Sequence, residues 1–154
     1  MSVSMKEDAY IFDIDGTLSD ITHRLKYIKN TPKDWKLFFE NIGKDKPKFD
    51  VINTLHQLRG DMYDGYKIVL ATGRHEKYRE VTKKWLSDNN VFYDDLFMRK
   101  DDDFREDSII KEEMYHEKIK PRYDIIGVFD DRTRVVEMWR RIGLTCFQVQ
   151  KGDY

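Results

Sequence analysis

The chain of 154 residues has a single cysteine, no excess of charge of either sign and no long hydrophobic run. Cys146 has no partner for a disulfide within the chain, which is typical of proteins from reducing compartments. It lies in the apolar stretch LTCFQV, which indicates a buried structural thiol rather than a nucleophile. Lys and Arg total 28 against 29 Asp and Glu, so the composition excludes a global positive field of the kind that many nucleic-acid binders have.

No apolar run approaches the roughly 20 residues that a membrane-spanning helix needs. The N-terminal stretch MSVSMKEDAY lacks the apolar segment of a secretory signal peptide. These absences predict a cytoplasmic protein with no membrane partner. What the sequence does contain is 40% hydrophobic and 14% aromatic residues, which predicts one packed globular domain.

Short apolar runs alternate with segments of helical periodicity, which is the pattern of a parallel sheet covered by helices. Strands are predicted at AYIF before Asp13, YKIVLA before Thr72, DLFMR at 95–99, DIIGVF before Asp130 and LTCFQV near the end. Helices are predicted at 76–88, at about 106–119 and at 132–142. The predicted fold class is α/β.

Residues 19–48 interrupt this alternation directly after the first strand. Trp35, Phe38, Phe39 and Ile42 have the i, i+3, i+4, i+7 spacing of one helical face. We therefore predict one domain, with a core at 1–18 and 49–154 and a small helical cap insertion at about 19–48. The aromatic face favours packing inside the cap over a platform for nucleic-acid bases.

The insertion also has a local excess of positive charge. It contains eight basic residues against four acidic ones. Such an excess would guide a nucleic-acid end toward the strand ends, although solvated lysines would give the same pattern.

Reactive residues follow three of the predicted strands. Asp13 and Asp15 follow the first, Thr72 follows the second in ATGR, and the pair Asp130 and Asp131 follows the fourth in FDDR. Ligands bind outside the carboxyl ends of the strands in an open parallel sheet, so these segments are expected to meet in one crevice.

Four carboxylates in one crevice repel one another, and a cation relieves that repulsion. The cluster contains no His or Cys, and an all-oxygen donor set favours a hard ion that keeps several waters. The sequence therefore predicts a Mg²⁺ site.

The two acids of the first segment suit different roles. Asp13 is placed to attack a phosphorus atom as a carboxylate nucleophile, and Asp15 is near enough to exchange protons with the leaving oxygen and with water. Charge that gathers on a phosphoryl group needs facing donors, for which the candidates are the Thr72 hydroxyl, backbone N–H groups near Gly73, Lys111, Arg74 and Arg24.

The segments DIDGT, ATGR, Lys111 and FDDR resemble, in order, the four motifs of the haloacid dehalogenase superfamily of phosphotransferases. The resemblance implies a Rossmann-like three-layer core and a phospho-aspartate on Asp13. It also implies Mg²⁺ held by Asp13, Asp130 and the backbone carbonyl of Asp15, with Asp131 supporting the site. The resemblance further implies that Asp15 is the general acid and base and that Thr72 and Lys111 contact the phosphate.

A second resemblance is narrower. The stretches REDSIIKEEMYHEKIKPRYD and DDRTRVVEMWRRIGLTCFQVQKGDY are similar to the 3′-phosphatase domain of phage-type polynucleotide kinase/phosphatases. This implies 3′-phosphorylated DNA or RNA ends as substrate and adds Arg24, Arg74 and Asp107 as active-site candidates. No GxxxxGK[ST] loop occurs, so the chain is expected to be a free-standing phosphatase, or one whose kinase or ligase partner is a separate chain.

Two other functions remain open. The same chemistry would act on a small phosphomonoester or a nucleotide, and the fold would also suit an inactive nucleic-acid-binding domain. Individual residues have simpler interpretations too: Asp107 and Asp130 suit helix N-termini, and Lys111 suits a solvated helix face. The four histidines have no metal-ligand spacing and are expected at surface or packing positions.

Overall fold

The computed structural model describes residues 5–61 and 64–154. Five strands form one parallel sheet in the order β5-β4-β1-β6-β7, and β2 and β3 form a separate antiparallel pair. The strands are β1 (Glu7–Phe12), β2 (Ser19–Asp20), β3 (Lys46–Pro47), β4 (Lys67–His75), β5 (Asp95–Arg99), β6 (Tyr123–Arg132) and β7 (Cys146–Gly152).

Six α-helices connect the strands of the described ranges. They are α1 (Lys26–Lys29), α2 (Trp35–Glu40), α3 (Phe49–Arg59), α4 (Arg79–Asp88), α5 (Asp107–Met114) and α6 (Thr133–Arg141). Three short 3₁₀ turns, Thr22–Arg24, Ile42–Lys44 and Glu76–Tyr78, and a π turn, Tyr115–Ile119, extend or join them.

The helices cover both faces of the sheet and give a three-layer α/β fold, which confirms the predicted fold class. Alternate residues of β1 point to opposite sides: Ile11 joins a core with α5 and α6, whereas Phe12 joins a core with α3 and α4. Because both faces are covered, the central strands are apolar at nearly every position. Cys146 is buried in the first of these cores, and burial raises the pKa of its thiol to about 12.

The position of β1 in the centre of the sheet determines which residues meet at its carboxyl end. Phe12 is in register with Leu70 of β4 on one side and with Phe129 of β6 on the other. The residues that follow these three positions therefore lie side by side, and the Asp13 N–H donates to the Phe129 carbonyl at 2.9 Å.

The region 19–48 lies over this edge of the sheet. Asp34 caps α2, with its side chain accepting a hydrogen bond from the Leu37 N–H at 3.0 Å. Ile21, Ile28 and Phe38 form a small apolar cluster of their own. We propose that this region is the cap of the domain.

The structure differs from the prediction at one helix and at the ends of two strands, since β6 also continues past its predicted end to Arg132. Helix α3, with Val51, Ile52 and Leu55 buried, is absent from the predicted elements because its short apolar pattern follows directly on the irregular cap. Strand β4 continues through the ATGR segment to His75, since its register with β5 shifts after Ala71 and pairing resumes at His75. In the described part of the chain, every helix is too short or too polar to cross a bilayer.

Candidate active site

The carboxyl ends of β1, β4, β5 and β6 open into one cavity of about 580 Å³. Asp13, Asp15, Gly73, Lys111 and Asp130 line it, so the sequence segments that were expected to converge do so. Residues of α2, of the segment 75–78, of the loop at 100–106 and of the first turns of α5 and α6 form much of its wall.

Three buried carboxylates form the floor of the site. Oxygens of Asp13, Asp130 and Asp131 all lie within 4.8 Å of one another. The Lys111 ammonium donates to Asp13 Oδ1 at 2.7 Å and to Asp130 Oδ2 at 2.9 Å. Lys111 is itself buried, which excludes the alternative that it lies on a solvated helix face.

The electrostatics of this cluster favour an additional positive charge. Burial, followed by the nearby Asp130, raises the pKa of Asp13 well above its usual range. Burial and Asp130 also raise the pKa of Asp131, to about 6. The pKa of Lys111 rises because Asp13 and Asp130 together outweigh the opposing effect of its burial.

The donor set fits a hard divalent cation. Three carboxylates face one ammonium, and Asp131 Oδ1 is the buried side-chain polar atom in the described ranges that has no hydrogen-bond partner. An oxygen that is buried without a donor is costly unless it contacts a cation, and oxygen-only sites suit Mg²⁺. We propose that Asp13, Asp130 and Asp131 hold Mg²⁺ here.

Two glycines make room for the third carboxylate. A Cβ at Gly16, whose φ is +82°, would lie 2.1 Å from Asp131 Oδ2, and a Cβ at Gly152 would lie 2.7 Å from the same atom. The glycine of DIDGT is therefore needed both for its backbone conformation and for the space it leaves.

The side chain of Asp15 points away from the three carboxylates. Its Oδ1 accepts hydrogen bonds from Arg24 Nη2 and Arg74 Nη2, each at 2.6 Å. Burial acts to raise the pKa of Asp15, but the two guanidinium groups outweigh it and hold the pKa well below its usual range. Asp131 thus supplies the third side chain of the acidic cluster, while metal contact by the Asp15 backbone carbonyl stays a prediction.

Arg24 and Arg74 are both fully buried behind Asp15. Asp45, in the cap, accepts from Arg24 Nε at 2.8 Å and from Arg24 Nη2 at 2.6 Å, and Arg74 Nη1 donates to Thr82 Oγ1 at 3.1 Å. Carboxylates therefore occupy both guanidinium groups. This geometry favours a role in holding Asp15 over the phosphate clamp that the sequence suggested.

Asp107, the first residue of α5, lies at the side of the cavity between two arginines. Arg132 Nη1 donates to its Oδ2 at 2.6 Å, and Arg99 Nη2 donates to its Oδ1. A Cβ at Gly73 would lie 2.6 Å from the same Oδ1, so this glycine is needed for the close approach of Asp107.

Thr72 is fully buried, and its hydroxyl accepts a hydrogen bond from the Arg74 N–H at 3.2 Å. The hydroxyl keeps its own proton free to donate. The phosphate contact expected of Thr72 stays a prediction.

Tyr154 is a further site residue that the sequence motifs did not indicate. Its hydroxyl lies 2.9 Å from Asp131 Oδ2 and 3.1 Å from the Asp15 carbonyl oxygen, and it has one proton to share between them. Arg132 fixes it, since Nε donates to the Tyr154 backbone oxygen at 2.7 Å and the guanidinium lies 5.0 Å from the ring centre.

Among the site residues that the motifs did not indicate, Arg99 had a usable signal, because it ends the predicted strand DLFMR and polar residues at strand ends are expected to face the crevice. Asp45 and Tyr154 had none, since each reaches the site through the folding of an irregular segment. Of the histidines, His75 is buried in the cavity wall, and His23 Nε2 lies 2.7 Å from Asp45 Oδ1, so His75 borders the site and His23 contacts the carboxylate that pairs with Arg24.

The three-layer fold with acidic residues at neighbouring strand ends is a fold of the haloacid dehalogenase type. A haloacid dehalogenase-like hydrolase from Streptococcus pneumoniae has this fold, with a TM-score of 0.59 and 14% identity over 91% of this chain and 83% of that one. A family model of the polynucleotide kinase PNKP phosphatase domain matches residues 7–154. The chain belongs to this family.

Two relatives agree with that assignment. A protein of Autographa californica nuclear polyhedrosis virus, described as a bifunctional polynucleotide kinase/RNA ligase, is 31% identical over 151 residues, which are 95% of this chain and 20% of the viral protein. A chain of the Pnkp1/Rnl/Hen1 RNA repair complex has a TM-score of 0.82 at 35% identity, covering 100% of this chain and 46% of that one. The chain thus spans a fifth of the first relative and under half of the second.

Proposed function

We propose that this chain removes 3′-terminal phosphates from polynucleotides, in a Mg²⁺-dependent reaction that passes through an aspartyl phosphate on Asp13. The observation that supports it most is the buried cluster of Asp13, Asp130 and Asp131 beside Lys111, of which Asp13, Asp130 and Lys111 line the cavity. Bound Mg²⁺ would neutralise the carboxylates and stabilise charge on the phosphoryl oxygens.

In the first step, a carboxylate oxygen of Asp13 attacks the phosphorus and the bond from phosphorus to the 3′ oxygen breaks. Asp15 transfers a proton to that oxygen, which leaves as a 3′ hydroxyl. Lys111 is fixed 2.7 Å from Asp13 Oδ1, so its charge lies where negative charge develops.

In the second step, water attacks the phosphorus of the aspartyl phosphate and Asp15 takes the proton. Free phosphate leaves and the Asp13 carboxylate returns. Arg24 and Arg74 hold the pKa of Asp15 below its usual range, which keeps the carboxylate ionised for this second role but also makes it a weak base. The first role requires the substrate phosphate to weaken those two contacts, so that the carboxyl group holds a proton.

The polynucleotide substrate is supported by the family and by the charge of the cap. The region 19–48 has four more basic than acidic residues, and Lys33 and Lys36 line the cavity. A kinase and an RNA ligase occur in the names of the relatives, so we propose that a kinase or ligase acts with this chain, as a partner or in a linked domain.

The direct test is to incubate the protein with a 3′-phosphorylated oligonucleotide, a 5′-phosphorylated oligonucleotide and a 3′-mononucleotide, with Mg²⁺ and with a chelator. The proposal expects release of phosphate from the first substrate, little from the second, and none with the chelator. Faster turnover of the mononucleotide would assign the chain to small substrates. If no phosphate is released from any of the three substrates, the alternative of an inactive nucleic-acid-binding domain would be favoured.

A further prediction concerns Tyr154, which contacts two groups that would face the metal ion. Tyr154→Phe removes the hydroxyl and keeps the ring against Arg132. Loss of a hydrogen bond to a metal ligand costs about 10-fold or more in metal affinity, so the Mg²⁺ concentration for half-maximal activity should rise about 10-fold. Activity at saturating Mg²⁺ should recover, whereas an unchanged Mg²⁺ dependence would contradict a positioning role for this hydroxyl.

A further inference from the structure

Five rings form one continuous surface in the cavity, which we call the aromatic wall: Trp35, Phe39, His75, Tyr78 and Phe104. Phe39 is at its centre, stacked on Trp35 with ring centres 6.1 Å apart and on Tyr78 with ring centres 5.5 Å apart. His75 contacts both Phe39 and Phe104. The wall therefore joins α2, the end of β4 and the loop at 100–106.

Packing explains only part of this wall. Phe38, on the same helix, is buried and covers the Arg24 guanidinium at 4.3 Å, as a cap core residue should. In contrast, Trp35 is 40% exposed and Phe104 is 81% exposed. Exposed rings that border a cavity are more informative than scattered surface residues, because they mark ligand sites.

Phe104 is exposed although its loop is firmly held. The buried Arg99 donates to the Asp103 carbonyl at 3.2 Å and to the Arg105 carbonyl at 2.6 Å, one on each side of Phe104. Arg105 is in turn paired with Asp103 and with Glu113 of α5. The loop thus presents the ring at the mouth of the cavity in a fixed position, which reduces the ordering cost of binding.

Charges beside the wall narrow the choice of ligand. Lys33 Nζ lies 5.4 Å from the Trp35 ring centre and Lys77 Nζ lies 5.3 Å from the Tyr78 ring centre, and both lysines line the cavity. A ligand that fits exposed rings bordered by ammonium groups has flat apolar faces and regularly spaced negative charges. A nucleic-acid strand has both, and its unpaired bases offer their faces to aromatic side chains.

We propose that the aromatic wall binds the terminal bases of a single-stranded 3′ end by stacking, with Phe104 and Trp35 as the main contacts. This inference rests on the proposed function, because the wall and the acidic cluster belong to one cavity, and it assigns the specificity of that site. Stacking tolerates any base, so the wall selects an unpaired strand rather than a sequence. Mononucleotides would lose part of this binding energy.

The test measures binding to two fluorescently labelled, 3′-phosphorylated oligonucleotides, one with all its bases and one whose terminal residues are abasic. Both have the same backbone charge. The background is Asp13→Asn, so that neither strand is hydrolysed. Base stacking supplies roughly 5- to 100-fold in affinity, so the base-bearing strand should bind more tightly by that factor.

Phe104→Ala should remove most of this difference and leave binding of the abasic strand unchanged, whereas Phe104→Tyr should retain it. The matched control is Phe49→Ala, which removes an exposed phenylalanine that does not line the cavity and should change neither strand. A Phe104→Ala variant that binds both strands as the parent does, or weakens both equally, would overturn the inference. Equal affinity for a blunt duplex would overturn the preference for single strands.

The two proposals fail in different ways. If the wild-type protein releases no phosphate from the base-bearing strand while the Asp13→Asn variant still binds the two strands with different affinities, the proposed function is wrong and the stacking site stands. If the wild-type protein hydrolyses both strands with equal KM, the stacking site is wrong and the proposed function stands.

Discussion

Asp13→Asn should reduce turnover of every phosphomonoester by at least roughly 10⁴-fold, because the amide is a poor nucleophile and no other carboxylate shares the position of Asp13 at the end of β1. The protein should still fold. In the wild type, burial and the neighbouring Asp130 raise the pKa of Asp13, so the ionised group destabilises the metal-free protein. The thermal midpoint of the variant without Mg²⁺ should therefore equal or exceed that of the wild type.

The matched control is Asp8→Asn, at the opposite end of the same strand, where the side chain is exposed. Both variants replace one carboxylate in β1 or directly after it with an amide, and the control should retain full activity. Rates for Asp13→Asn within about 10-fold of the control would mean that water attacks the phosphate directly, with another group as base.

Asp15→Asn should have the second largest effect, and its size should depend on the leaving group. A nucleoside 3′ oxygen needs a proton to leave, so its release should slow by about 10²- to 10⁴-fold. Nitrophenolate leaves without a proton, so the first step with nitrophenyl phosphate should be nearly unchanged. Single-turnover kinetics on both substrates would measure this difference.

The same substitution also tests the second step. The amide is unable to take a proton from water, so the aspartyl phosphate should accumulate when nitrophenyl phosphate is the substrate. A burst of nitrophenolate equal to the enzyme concentration, followed by slow turnover, is the expected time course. An equal loss of rate on both substrates, with no burst, would assign Asp15 a structural role as the carboxylate that pairs with Arg24 and Arg74.

The sequence predicted the convergence of Asp13 and Asp130 because it follows from a simple rule, whereas Lys111 lies on α5 and was indicated by its place in the family motifs. Parallel strands end at one edge of a sheet, and β1 pairs with both β4 and β6, so residues after those strands become neighbours. Short apolar runs locate such strands well. The α/β fold class depends on the same local signal.

The second half of the site depends on contacts that local patterns do not encode. Arg24 and Arg74 carry charge that suits a phosphate, yet in the folded protein Asp15 and Asp45 occupy both of them. Whether a guanidinium faces a ligand or a carboxylate is decided by the path of the cap. Tyr154 reaches Asp131 from the far end of the sequence in the same way.

The aromatic residues of α2 show a third limit. Their helical spacing indicates one face, and the apolar side of that face is expected to pack inside the cap. Phe38 does so, but Trp35, the first residue of the helix, lines the cavity outside the apolar cluster, and Ile42 follows the end of the helix at Glu40. Periodicity gives the face of a helix, but the length of the helix and its neighbours determine how much of that face is covered.

Identifying the phosphorylated residue would test the mechanism most directly. Asp15→Asn protein is mixed with nitrophenyl phosphate and Mg²⁺, quenched in acid, digested with pepsin and examined by mass spectrometry. One phosphoryl group on Asp13 is the result expected here, with none after the same treatment of the Asp13→Asn, Asp15→Asn double variant. A phosphoryl group on another residue, or an unmodified chain after a full burst, would contradict the role of Asp13 as the nucleophile.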